Sequence, residues 1–112
     1  MLLKSSPGDA IEVIMANAKL LLKRRQERTL RSFVDLSVFE VPAPLKGSAH
    51  NYKYRLAYVV DDVCVMRYDN EAGKGDHRHI GAVEAPYSFR NVSTLLRDFF
   101  AEVERMEADE NS

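Results

Sequence analysis

A single cysteine, Cys64, leaves the 112-residue chain with no means of building an intrachain disulfide framework, and this fits a reducing cytoplasm. No apolar run approaches the about 20 residues that cross a bilayer. The opening MLLKSSPGDA is too short and too polar for a secretory signal. Charge of one sign is also missing: the net is −1, so bulk electrostatics do not mark a nucleic-acid binder. There is no GxxxxGK[ST] and no GxGxxG opening a helix, which removes the common nucleotide loops. GxSxG is missing too, and no serine lies near the histidines for an acyl-transfer triad. No internal repeat, linker or low-complexity block divides the chain. What remains, 46% apolar and 29% charged, is the composition of one soluble globular domain able to bury a core unaided.

Charge is nevertheless distributed unevenly. Residues 19–31, KLLLKRRQERTLR, hold six Lys or Arg against one Glu, whereas AEVERMEADENS at the C-terminus holds five acids against one Arg. The basic stretch can follow a phosphate backbone or can simply be a solvated face.

Hydrophobic spacing gives an α+β domain with an antiparallel sheet. Ser6, Pro7 and Asp9 read as a helix start, and Ile11, Ile14, Met15, Ala18, Leu21 and Leu22 continue it at helical spacing. This predicts an N-terminal helical segment over 7–27, although 18–27 reads equally well as a strand. SFVDLSVFEV (32–41) alternates cleanly and is a strand. PAPLKGS ends it, YKYRLAYVV (52–60) and VCVMRYDN (63–70) follow, and DHRHIGAVEAPYSF is extended again, so the sheet spans about 30–89. A two-residue turn at Asp61-Asp62 would put Leu56 opposite Arg67 and Tyr54 opposite Asp69. The last element is an amphipathic helix over about 93–107, capped by Ser93, with Leu95, Leu96, Phe99, Phe100, Val103 and Met106 in one stripe.

The chemistry concentrates in RYDNEAGKGDHRHIG, residues 67–81. In an extended segment His77 and His79 share one face and Arg78 takes the other. Paired imidazoles have three readings: metal ligands with Asp69 or Asp76, a general base and acid near neutral pH, or plain residues of a sheet edge. Arg67, Lys74 and Arg78 supply charge for a phosphate, and Gly73 and Gly75 let the backbone bend around Lys74. Asp69 or Asp76 can accept a ring N–H and fix its tautomer. Tyr52, Tyr54 and Tyr68 can stack on bases or fill the core. Cys64, mid-strand, reads as a buried thiol, and His50 as a solvated loop residue.

FEVPAPLKGSAHNYKYRLAYVVDDVCVMRYDNEAGKGDHRHIG, then PYSF and LLRDFFAEV, resembles the TumE family of toxin–antitoxin toxins over about residues 31–104. RYDNEAGKGDHRH is the specific part and YKYRLAYV strengthens it. The resemblance implies a small toxin encoded beside a helix-turn-helix antitoxin and acting on RNA, and an N-terminal strand hairpin in place of the helix read at 7–17. Arg67, Tyr68, Asp69, Asn70, Lys74, Asp76, His77, Arg78 and His79 fall on its motif. The reading is therefore a cytoplasmic, metal-independent ribonuclease with no cofactor and no membrane partner. Its catalytic residues would be His77, His79, Asp76 and Asp69, and Arg67, Lys74, Arg78, Tyr68 and Asn70 would bind substrate. A non-catalytic anion- or partner-binding protein, and a metal-dependent nuclease or nucleotidyl transferase using Asp69 and Asp76, are the alternatives.

Overall fold

The computed structural model describes residues 17–110. Strands β1 (Lys19–Thr29), β2 (Ser32–Glu40), β3 (Tyr52–Val60), β4 (Val63–Glu71), β5 (Gly75–Ile80) and β6 (Val83–Pro86) precede one helix, α1 (Val92–Glu110). Each strand pairs antiparallel with the next, so sheet order is chain order. The α+β expectation holds, with one correction. Residues 19–27 are not helical: they run in β1, paired with β2 from Lys19↔Glu40 to Thr29↔Ser32. The helical reading of 7–16 lies outside the described residues. A basic run with three consecutive leucines satisfies both periodicities, and the ladder offered by β2 decides between them.

The β3–β4 hairpin turns on Asp61 (φ 51°) and Asp62 (φ 64°), the positive φ pair of a type I′ turn. Arg31 holds it from the neighbouring hairpin, donating Nε–H to Asp61 Oδ1 at 2.8 Å. Val60 faces Val63 as the turn requires, but an irregularity between Tyr58 and Val59 shifts the rest of the ladder. Leu56 thus faces Tyr68, and Arg55 faces Asp69, one position from the simple hairpin register. Cys64 stands near that hairpin end and is exposed, not buried.

Alternation in the middle strands builds one apolar face. Val34, Leu36 and Val38 of β2, Tyr54, Leu56 and Tyr58 of β3, and Met66 and Tyr68 of β4 pack with Leu95, Phe99 and Val103 of α1. Each of those three helix side chains is fully buried, stabilising the fold by about 1.5–3 kcal/mol apiece. Asn91, not Ser93, caps the helix: its Oδ1 accepts the Thr94 N–H at 2.7 Å. Polar ties fix its angle on the sheet. Arg28 donates twice to Glu107 (2.9 and 2.8 Å), and Tyr87 donates its hydroxyl to Asp98 at 2.7 Å. The helix covers one sheet face. Among the described residues no helix packs on the other.

Candidate active site

Residues directly opposite in an antiparallel sheet share a face. One row across the uncovered face therefore runs Lys23, Ser37, Arg55, Asp69, His77. The adjacent row runs Arg25, Asp35, Ala57, Arg67, His79, Glu84. Four residues singled out in the sequence, Arg67, Asp69, His77 and His79, thus stand together. Four others, Tyr68, Asn70, Asp76 and Arg78, alternate with them and face the helix side.

The two imidazoles lie 6.3 Å apart, centroid to centroid, and have contrasting partners. His77 Nδ1 is 3.1 Å from the Gly75 carbonyl. A carbonyl only accepts, so Nδ1 carries the proton and Nε2 presents a lone pair. His79 Nε2 instead faces two carboxylates, Glu84 Oε2 at 3.2 Å and Asp69 Oδ1 at 3.7 Å. That nitrogen carries its proton. Asp69 is anchored in turn by Arg67, whose Nε–H donates to its other oxygen at 2.9 Å.

Lys74 sits exposed at the β4–β5 tip, between Gly73 (φ 83°) and Gly75 (φ 80°). Its Nζ is 3.4 Å from Glu84 Oε2, an exposed and long contact that a stronger anion displaces readily. Partial burial pushes the Glu84 carboxyl up, but Lys74, and then His79 and His77, outweigh it and hold the group below its usual range. Glu84 joins the site from β6, unsignalled by any motif. Lys53 is a second addition: its ammonium donates to the Asn70 carbonyl beneath Asp69. Burial lowers its pKa, opposed by Asp69 and Glu71.

The helix-side residues of the motif have other partners. Asn70 is buried; its amide accepts the Tyr54 N–H at 3.0 Å and donates to the Tyr52 carbonyl at 2.8 Å. It continues the β3–β4 ladder with a side chain. Asp76 Oδ2 accepts the Tyr54 hydroxyl at 2.6 Å and meets His50 Nε2 at 2.8 Å. Burial first, then that carboxylate, raises the Tyr54 pKa well above the ordinary phenol value. His50 is no solvated loop residue: its side chain is 15% exposed, its ring stacks on Phe89 at 3.9 Å, and Nδ1 accepts the Tyr52 N–H. Tyr54 and Tyr68 are buried in the core, so stacking on bases is closed to them. Burial raises the Tyr68 hydroxyl's pKa, and Arg78 beside it works against that rise.

Among the described residues no three His, Cys, Asp or Glu side chains are grouped as a metal ion would require. No helix there is long and apolar enough to cross a membrane. No curated protein and no solved structure matches the chain. A family match does span most of it, covering residues 11–107 and with them every strand, the uncovered face and nearly all of α1. On that match the chain belongs to the family described as Toxin TumE.

Proposed function

We propose that this toxin is a metal-independent endoribonuclease working on the uncovered sheet face. Membership of a toxin family implies an antitoxin partner, which we take to be of helix-turn-helix type; the substrate is cellular RNA. The observation that carries the reading is the opposite hydrogen bonding of the paired imidazoles. His77 offers a lone pair at Nε2, and His79 offers a proton at Nε2.

In this reading His77 Nε2 takes the proton from a ribose 2′-hydroxyl, whose oxygen attacks the adjacent phosphorus. The P–O5′ bond breaks, and His79 Nε2–H delivers its proton to the departing 5′-oxygen. The products are a 2′,3′-cyclic phosphate and a 5′-hydroxyl, so atoms and protons balance. Lys74 and Arg67 stabilise the charge gathering on phosphorus, and Asp69 and Glu84 orient His79. Asp76, Asn70, Tyr68 and Arg78 take no part in the step, because the sheet lies between them and the histidines. Lys23, Arg25 and Arg55 extend the same face and can follow the strand away from the scissile bond.

The test is an RNA cleaved by the toxin, its ends analysed, beside the same RNA with a 2′-deoxy at the scissile position. The deoxy substrate should be inert, and EDTA should leave activity intact. A 5′-phosphate product, or cleavage of the deoxy substrate, would replace the two-histidine step with a water- or metal-based one. A toxin that keeps full toxicity without His77 and His79 would act as a binding protein.

A further inference from the structure

Arg78 belongs to the motif yet stands on the far face from the histidines, and its surroundings there have a chemistry of their own. Beside the start of α1 it lines a cleft of about 350 Å³ with Arg90, Arg97, Ser88, Thr94 and Asp98. Four arginines elsewhere are matched: Arg28 with Glu107, Arg31 with Asp61, Arg67 with Asp69 and Arg105 with Glu102. Among the described residues Arg78, Arg90 and Arg97 make no ion pair. The one carboxylate in the cleft, Asp98, already accepts the Tyr87 hydroxyl at 2.7 Å. Three guanidiniums against one carboxylate leave the cleft two positive charges in excess.

From this we infer that the Arg78–Arg90–Arg97 cleft is a binding site for a phosphate monoester, separate from the cleavage face. A monoester carries close to two negative charges at neutral pH and three terminal oxygens, which match the excess charge and the three planar forks. A carboxylate has two oxygens and one charge, and one guanidinium satisfies it. The Ser88 and Thr94 hydroxyls supply further donors at the rim. Inorganic phosphate and the terminal phosphate of an oligoribonucleotide share this chemistry. The site does not depend on the histidine mechanism, since the sheet separates the two.

The test follows arginine Nε–H resonances of the full chain by NMR at constant ionic strength. The probes are inorganic phosphate and a trinucleotide with either a 5′-phosphate or a 5′-hydroxyl. Phosphate should shift Arg78, Arg90 and Arg97. If the source is a nucleic-acid terminus, the 5′-phosphorylated trinucleotide should bind at least 10-fold more tightly than its hydroxyl counterpart. Equal trinucleotide affinities, with phosphate still shifting these arginines, would assign the site to the free ion. Arg90→Gln with Arg97→Gln, both exposed, should weaken binding at least 10-fold without moving the thermal midpoint. His77→Ala with His79→Ala should leave it unchanged, so that loss of cleavage and loss of this site are read separately. Shifts confined to Arg67 on the histidine face, or affinity indifferent to the arginine substitutions, would overturn the inference. So would an acidic peptide that moves these arginines where phosphate does not.

Discussion

Alternate residues of β4 and β5 meet opposite surroundings. Arg67, Asp69, His77 and His79 project from the uncovered face with free or exchangeable hydrogen-bonding capacity. Tyr68, Asn70 and Asp76, each next door in sequence, are tied into the core by the Tyr54 amide and hydroxyl, by His50 and by α1. The contrast teaches that one compact motif encodes two jobs. Arg67, Asp69, His77 and His79 are available for chemistry, and Tyr68, Asn70 and Asp76 hold the sheet in the register that assembles them. Substitutions one residue apart should therefore differ in kind.

The sharpest separation is expected at the histidines. His77→Ala and His79→Ala should each slow cleavage by about 10²-fold or more, with the double variant little worse, because residues acting as a unit are not additive. Rate against pH should be bell-shaped, its limbs belonging to the coupled pair. Thermal midpoints should not move. A midpoint that falls with activity would merge the two faces into one structural role.

Asn70→Ala should do the reverse. Removing the amide strands the Tyr54 N–H and the Tyr52 carbonyl, at about 2 kcal/mol of stability. At a temperature where the variant is folded, turnover should stay near wild type. Chemical denaturation with a parallel rate assay checks both halves.

The helix-side ion pair gives a pH-dependent version of the same comparison. Arg28's hydrogen bonds and charge hold the Glu107 carboxyl below its usual range, against the cost of burial. A depressed folded-state pKa contributes stability above the unfolded value, near 4.3, and loses it as pH falls through the folded one. Glu107→Gln should therefore cost about 1 kcal/mol at pH 7 and nothing at pH 2. A cost that persists in acid would assign Glu107 to packing.

The smallest effect tests the edge strand. Lys23 and Arg25 lie on the histidine face and Arg24 on the helix side. Neutralising the first two should flatten the salt dependence of RNA binding by a slope of about 1.4 in log units, and neutralising Arg24 should not. Equal effects would mean that RNA does not distinguish the faces.

How much of this was readable in one dimension depended on the range of the interaction. The alternation in 32–41 and the stripe from Leu95 to Met106 are repeats of a short period, and the structure keeps both. The same period put His77 and His79 on one side and Arg78 on the other, as found. Asp76 and Arg78 carry charge beside the histidines in the chain, yet the same period turns them to the opposite face. β1 was ambiguous because Leu20–Leu22 with its flanking cations suits either a helix or a strand.

Sequence alone thus determined which side chains share a face within each strand, since the pleat has a period of two and needs no partner to express it. It also determined the apolar surface of α1 and, through the RYDNEAGKGDHRH run, the toxin family. Only the tertiary structure decided which strands' faces meet. One irregularity between Tyr58 and Val59 set Arg55, and not Tyr54, against Asp69. Pairing across the β5–β6 hairpin brought Glu84 to His79. Asp76 reached His50, 26 residues earlier in the chain, and the Tyr54 hydroxyl, on the side of the sheet away from His77 and His79. A ladder carries a shift at one position to every later pair, and contacts between distant segments are fixed only when it closes.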